Sequence, residues 1–114
     1  MKSSKQVIER ALRILGVLAS DEPATADMTS NAKAVLESIV AEMSAALPLV
    51  PFSLVSGVPL AAFEPLARLL ACDIAGDYGL AAPQPRARAW LRVRALYVTD
   101  DRLEDTGGTQ DGYR

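Results

Sequence analysis

RARAWLRVR, residues 86–94, sets four arginines around one tryptophan. Arginine forks grip phosphate oxygens and an indole can stack on a base, so Arg86, Arg88, Arg92 and Arg94 with Trp90 could hold nucleic acid. The same residue types are also favoured in protein interfaces, where the planar donor fork meets carboxylates and carbonyls. Trp90 falls on the apolar side of a helix and the arginines spread over more than one side. The expectation is therefore a solvated or interface face, with direct nucleic-acid contact as the alternative. A second group lies in LARLLACDIAGDYGL, residues 66–80. Asp73 and Asp77, one helical turn apart, could bind a metal or share a proton. Without a third ligand they read better as a face toward solvent or a neighbouring subunit. Cys72 would need an activating base to act as a nucleophile, and the chain has no histidine. It reads as a small packed residue. Glu64 and Arg68 are spaced to pair along one helix. No CxxC pair, phosphate-binding glycine loop, GxSxG or dinucleotide fingerprint is present, so neither catalysis nor a metal or cofactor is expected.

Whatever these residues do, a small helical frame must position them. The chain has 114 residues, half of them apolar but only 5% aromatic. That suffices for one modest core, and abundant alanine and leucine favour helices. Twelve basic residues against fourteen acidic ones give a net charge of −2, so no bulk positive field advertises nucleic acid. A single cysteine excludes an internal disulfide and fits a reducing compartment. No apolar run approaches the roughly 18 residues that span a bilayer. Charges interrupt the apolar pattern of MKSSKQVIERALRILG, unlike a secretory leader. A soluble chain, cytoplasmic when made, is expected.

Four helices can be read. In the first, Val7, Ile8, Ala11, Leu12, Ile14, Leu15 and Leu18 share one side, and Gly16 should end it in a left-handed cap with Val17 folding back. ASDEPATAD should be a linker in which Thr25 or Asp27 caps the second helix. That helix should run to about Leu47, before Pro48 and Pro51, burying Met28, Ala32, Val35, Leu36, Ile39, Met43 and Leu47. PLVPFSLVSGVP reads as a long apolar loop, either a contact surface or a buried connection, with a short extended piece at PFSLV. The third helix should place Pro65 near its start and bury Leu66, Leu69, Leu70, Ile74 and Tyr78, with Gly76 and Gly79 ending it. The fourth should run from near Pro85 to about Thr99, with Ala89, Trp90, Val93, Leu96 and Tyr97 inward. DDRLEDTGGTQDGYR has no stripe to bury and reads as a tail that orders only against a partner. The fold class is all-α: a small bundle of about four helices with a long apolar loop, residues 1–99, and an extended C-terminal tail, residues 100–114.

ERALRILGVLASDEPATADMTSNAKAVLESIVAEMSA, with its leucine-glycine helix end, loop and long second helix, resembles the tail accessory factors that short-tailed phages attach beneath the portal. LARLLACDIAGDYGL is similar to that family's second recurring element, and the order and spacing match across roughly residues 8–80. The resemblance implies a head-to-tail adaptor: a virion structural protein forming a ring, usually of twelve copies, under the portal. Its partners would be the portal protein, its own copies, and a stopper or tail protein below. DNA would pass through the lumen without sequence-specific binding, which a slightly acidic chain would not impede. Localisation would be the virion neck, and the host cytoplasm during assembly, with no membrane role. In related adaptors a C-terminal segment docks into the portal, so Arg88, Arg92 and Arg94 with Asp100, Arg102, Leu103, Tyr113 and Arg114 become the expected portal or subunit contacts. The chain departs from the larger members in its short C-terminal extension. The alternative function is a small helical nucleic-acid-binding regulator using the arginine-rich fourth helix.

Overall fold

Helix α1, Ser4–Ile14, starts on a reciprocal cap. Ser3 Oγ accepts from the Gln6 N–H at 3.2 Å, while the Ser3 N–H donates to Gln6 Oε1 at 2.8 Å, satisfying two donors that a helix start leaves unpaired. The computed structural model describes residues 1–46 and 53–97. Gly16 ends α1 at φ +79°, as expected. Its N–H reaches the Arg13 carbonyl at 3.0 Å and the Val17 N–H reaches that of Leu12 at 2.9 Å, the paired closure of a left-handed cap. Val7, Ile8, Ala11, Leu12 and Leu18 are buried, with Ile14, Leu15 and Val17 packed at the core's edge.

The connection to the next helix is tied down by polar contacts. Arg13 donates to the carbonyls of Ala19 and Glu22, and the Glu9 carboxylate accepts from the Ala24 N–H at 3.1 Å. Thr25 Oγ1 then accepts from the Met28 N–H at 3.2 Å, so Thr25 rather than Asp27 caps α2, Ala26–Ala46. Asp27 occupies the first turn, where a carboxylate suits the positive end of the helix dipole. Ala32, Leu36, Ile39 and Met43 are buried, and Met28 and Val35 are half-buried. Leu47, Pro48 and Pro51 lie outside the described residues.

The described part of the apolar loop departs from the expected extended piece at PFSLV. Residues 54–56 form a turn, closed by the Gly57 N–H on the Ser53 carbonyl at 3.0 Å. The extended contact comes later, where Lys2 and Val58 exchange backbone hydrogen bonds of 2.8 and 2.7 Å in an isolated antiparallel bridge. Gly57 permits this. Its φ is +110°, and a Cβ there would lie 3.3 Å from Met1 Cβ, so a side chain would meet both backbone strain and the N-terminal residues.

Helix α3, Leu60–Ile74, begins five residues earlier than Pro65 suggested. Pro59 stands at the cap with φ −59°, already set for helix entry. Pro65 therefore sits in the second turn, where its ring leaves the Ala61 carbonyl without the usual helical donor. Burial explains why the helix tolerates it: Ala62, Pro65, Leu66, Ala67, Leu69, Leu70, Ala71 and Ile74 are all buried. α3 is the central rod, packed against α1, α2 and α4. A 3-10 turn, Ala75–Tyr78, and Gly79 at φ +67° end it. The Leu80 N–H reaches back to the Ala75 carbonyl at 3.0 Å, which gives the DYGL ending its role as a chain reversal.

Helix α4, Arg86–Arg94, follows Pro85. It buries Ala89 and Val93 and half-buries Trp90, while Leu96 stays 42% exposed rather than facing inward. The reason is local: Leu96 and Tyr97 bond back three residues, to Val93 and Arg94, so the α-helical progression that would have turned Leu96 inward is tightened. α4 ends at Arg94, short of the expected Thr99, because residues 95–97 tighten into a turn; residues 98 and 99 lie outside the described residues. The fold is thus a mostly helical four-helix globule, with no β-strand beyond the Lys2–Val58 bridge among the described residues. No helix among them is long and apolar enough to cross a membrane.

Candidate interaction face on the fourth helix

The arginines of α4 separate into two groups. Arg86 points toward the body of the molecule. Its Nε and Nη2 donate to both carboxylate oxygens of Asp73 on α3, at 2.6 and 3.2 Å, and Nη2 also reaches Glu42 on α2 at 2.8 Å. One guanidinium thereby fastens three helices. The hydrogen bond to Asp73, then that to Glu42, raises its pKa and keeps it charged. Arg88, Arg92 and Arg94 are exposed and form no ion pair or side-chain hydrogen bond among the described residues.

Helical spacing puts Arg88, Leu91, Arg92 and Ala95 on one outward ridge, opposite Ala89 and Val93. Leu91 is 58% exposed there. Sequence reading passed over it, although its offset from the Ala89–Val93 stripe marks it as outward. α4 contains no acid, and Arg88 and Arg92 one turn apart repel each other by a few tenths of a kcal/mol. Trp90, half-buried against the core, does not present a stacking platform beside them. Of the other residues expected at this face, Asp100, Arg102, Leu103, Tyr113 and Arg114 lie outside the described residues.

The acid and thiol candidates are accounted for by packing. Asp73 is held by Arg86, whereas Asp77 is exposed on the 3-10 turn. Cys72 is half-buried, its Sγ 3.4 Å from the Gln84 carbonyl. Burial, first, raises its pKa and keeps the thiol protonated. Among the described residues no three Cys, Asp or Glu side chains come together as a metal site. Replacing Arg86 by Met would leave Asp73 and Glu42 facing each other without a cation. We expect about 1 kcal/mol of lost stability, read by urea unfolding, and faster Cys72 labelling as the Gln84 segment loosens.

A second ion-pair network sits on the α1–α3 seam. Arg10 donates through Nε and Nη2 to both Glu64 oxygens at 2.9 Å, and Arg68 reaches Glu64 at 3.0 Å. The one-turn Glu64–Arg68 pairing was legible from spacing; Arg10 was not. The Arg10 hydrogen bond, first, lowers the Glu64 pKa below its ordinary 4.5. A lowered folded value means the stabilisation is complete above the unfolded pKa and is lost as pH falls through the folded one. Glu64→Gln should therefore lower stability at neutral pH and flatten its decline below about pH 4.5, as thermal melts across pH 2–7 would show. Beside this seam, Lys2 Nζ lies 5.2 Å from the Phe63 ring centre, and an open groove of about 280 Å³ runs between residues 1–4 and 54–57. Lys2 is the sole charged side chain among the described residues that line it, and these form no reactive constellation.

Comparison with family models, with curated proteins and with solved structures found no match.

Proposed function

We propose that this chain is a head-to-tail adaptor of a phage virion, assembling in multiple copies beneath the portal and joining it to the neck or tail. It acts by binding, with neither catalytic step nor cofactor. The observation that carries the reading is the outward ridge of α4. Two uncompensated arginines flank an exposed leucine on a rigid helix, the mixture of apolar contact and planar donors that protein interfaces favour. The family resemblance of residues 8–80 supplies the partner, and the ridge leads directly into the segment expected to dock on the portal. With Arg86 held by acids and Trp90 turned inward, the nucleic-acid reading loses two of the five side chains it began with.

The test mixes the purified chain with the portal protein encoded in the same genome and measures the complex by native mass spectrometry. A portal-dependent, high-copy complex is expected, weakened at least about tenfold by Arg88→Glu with Arg92→Glu. No complex with the portal, together with salt-sensitive binding to duplex DNA that Arg88→Ala and Arg92→Ala reduce, would replace the adaptor with the regulator.

A further inference from the structure

We infer that the arginine–leucine ridge of α4 seats on the outward face of α2 in a second copy of this chain, joining copies head to tail. This rests on the ridge as the docking face proposed above and names the partner that covers it. The ridge carries three cations, Arg88, Arg92 and Arg94, without a counter-charge among the described residues, and an apolar side chain, Leu91, more than half exposed. The surface that takes it must offer acids not already engaged. On α1, Glu9 accepts from the Ala24 N–H; on α3, Glu64 is held by Arg10 and Asp73 by Arg86; α4 has no acid. Among the described α-helices, only α2 exposes acids without a cation, Asp27 and Glu37.

Helical spacing puts Asp27, Ser30, Ala34, Glu37, Ser38 and Ala41 on the side of α2 opposite Leu36 and Met43, and all of them are exposed. Glu37 thus stands among short side chains, which leave its carboxylate open and let an incoming helix approach closely. In the contact, Leu91 packs over Ala34, Ser38 and Ala41, while Arg88 and Arg92 reach Glu37. A copy cannot make this contact with itself. α2 and α4 both pack on α3, and the two faces are those turned away from that packing. Because they also differ, each contact leaves a free ridge at one end and a free α2 face at the other, so further copies add in the same sense. A seam about 13.5 Å long and about 10 Å wide falls far below the roughly 800 Å² per partner of a stable complex. Free copies therefore associate weakly, and a template that holds several side by side supplies the rest through local concentration.

The experiment uses the full chain without portal. Leu91→Cys and Ala41→Cys are made separately in a Cys72→Ser background, mixed at high concentration and oxidised. A disulfide-linked dimer is expected from the mixture, forming at least about threefold faster than from either variant alone and more slowly near 1 M salt. Arg88→Glu with Arg92→Glu on the Leu91→Cys chain should remove that advantage. Glu37→Arg on the Ala41→Cys chain should then restore it, with unchanged far-UV circular dichroism throughout. Leu91→Cys cross-linking to itself as fast as the mixture would overturn the inference, by placing ridge against ridge. A mixture no faster than the single variants, or one that charge reversal leaves unchanged, would overturn it too. Cross-linking without portal binding would keep this contact and dismiss the adaptor, whereas portal binding without cross-linking would do the reverse, so the two readings fall separately.

Discussion

Leu70→Ala should lower the unfolding free energy by about 2–5 kcal/mol, the range for emptying a well-packed leucine site. Leu70 is fully buried in α3, the one helix that the other three all pack against. The lost methyl groups have neighbours from a rod covered around most of its circumference, so no single helix can move inward to fill the space. Domains of this size are stable by only about 5–15 kcal/mol, so the variant should melt well below the parent. Calorimetry with parallel urea titration reads the loss. A change under about 1 kcal/mol would show that the bundle relaxes around the gap and that α3 is not a close-packed centre.

The opposite change at a neighbouring position should cost nearly as much. Ala67 is fully buried, and each helix packed on α3 also offers a buried alanine: Ala11 from α1, Ala32 from α2 and Ala89 from α4. Small side chains at these positions let helix axes approach closely, and packed interiors have no spare volume for three further carbons. Ala67→Leu should therefore destabilise by about 1–3 kcal/mol. Far-UV circular dichroism should hardly change, while Trp90 fluorescence shifts as α4 is displaced. Ala67→Ser, nearly isosteric, should be milder and serves as the control for volume.

How far these features could be read from the chain depends on the range over which each is encoded. The α1 stripe, the Gly16 cap and the buried Ala32, Leu36, Ile39 and Met43 of α2 follow from periodicity and punctuation within a few residues, whereas Met28 and Val35, also expected inside, are only half-buried. The reciprocal cap of α1 is equally local, a serine followed three residues later by a glutamine. The start of α3 was misread because two prolines compete for it. Pro65 matched the preference for a first turn, whereas Pro59 holds that place and tertiary burial overrides the cost of Pro65 inside the helix. The candidate face was half legible. Arg88, Arg92 and Arg94 are outward, but the withdrawal of Arg86 depends on acids 13 and 44 residues away. No spacing rule encodes such a pair. It exists only once α2, α3 and α4 have been brought together by their apolar sides.

The bridge between Lys2 and Val58, together with the Arg10–Glu64 clasp, also bears on synthesis. These contacts close loops of more than fifty residues, and such closure must be made before its reward is collected. α1 and α2 leave the ribosome with amphipathic faces and no central rod to receive them. Only after α3 has emerged can either be sealed, and α4 joins a core already formed. The chain should therefore mature in one step once α3 is clear of the exit tunnel, with α1 waiting as a nascent helix until then. Arrest of translation before residue 74 should leave it sensitive to protease, while a nascent chain with α3 clear of the exit tunnel should acquire resistance in a single transition.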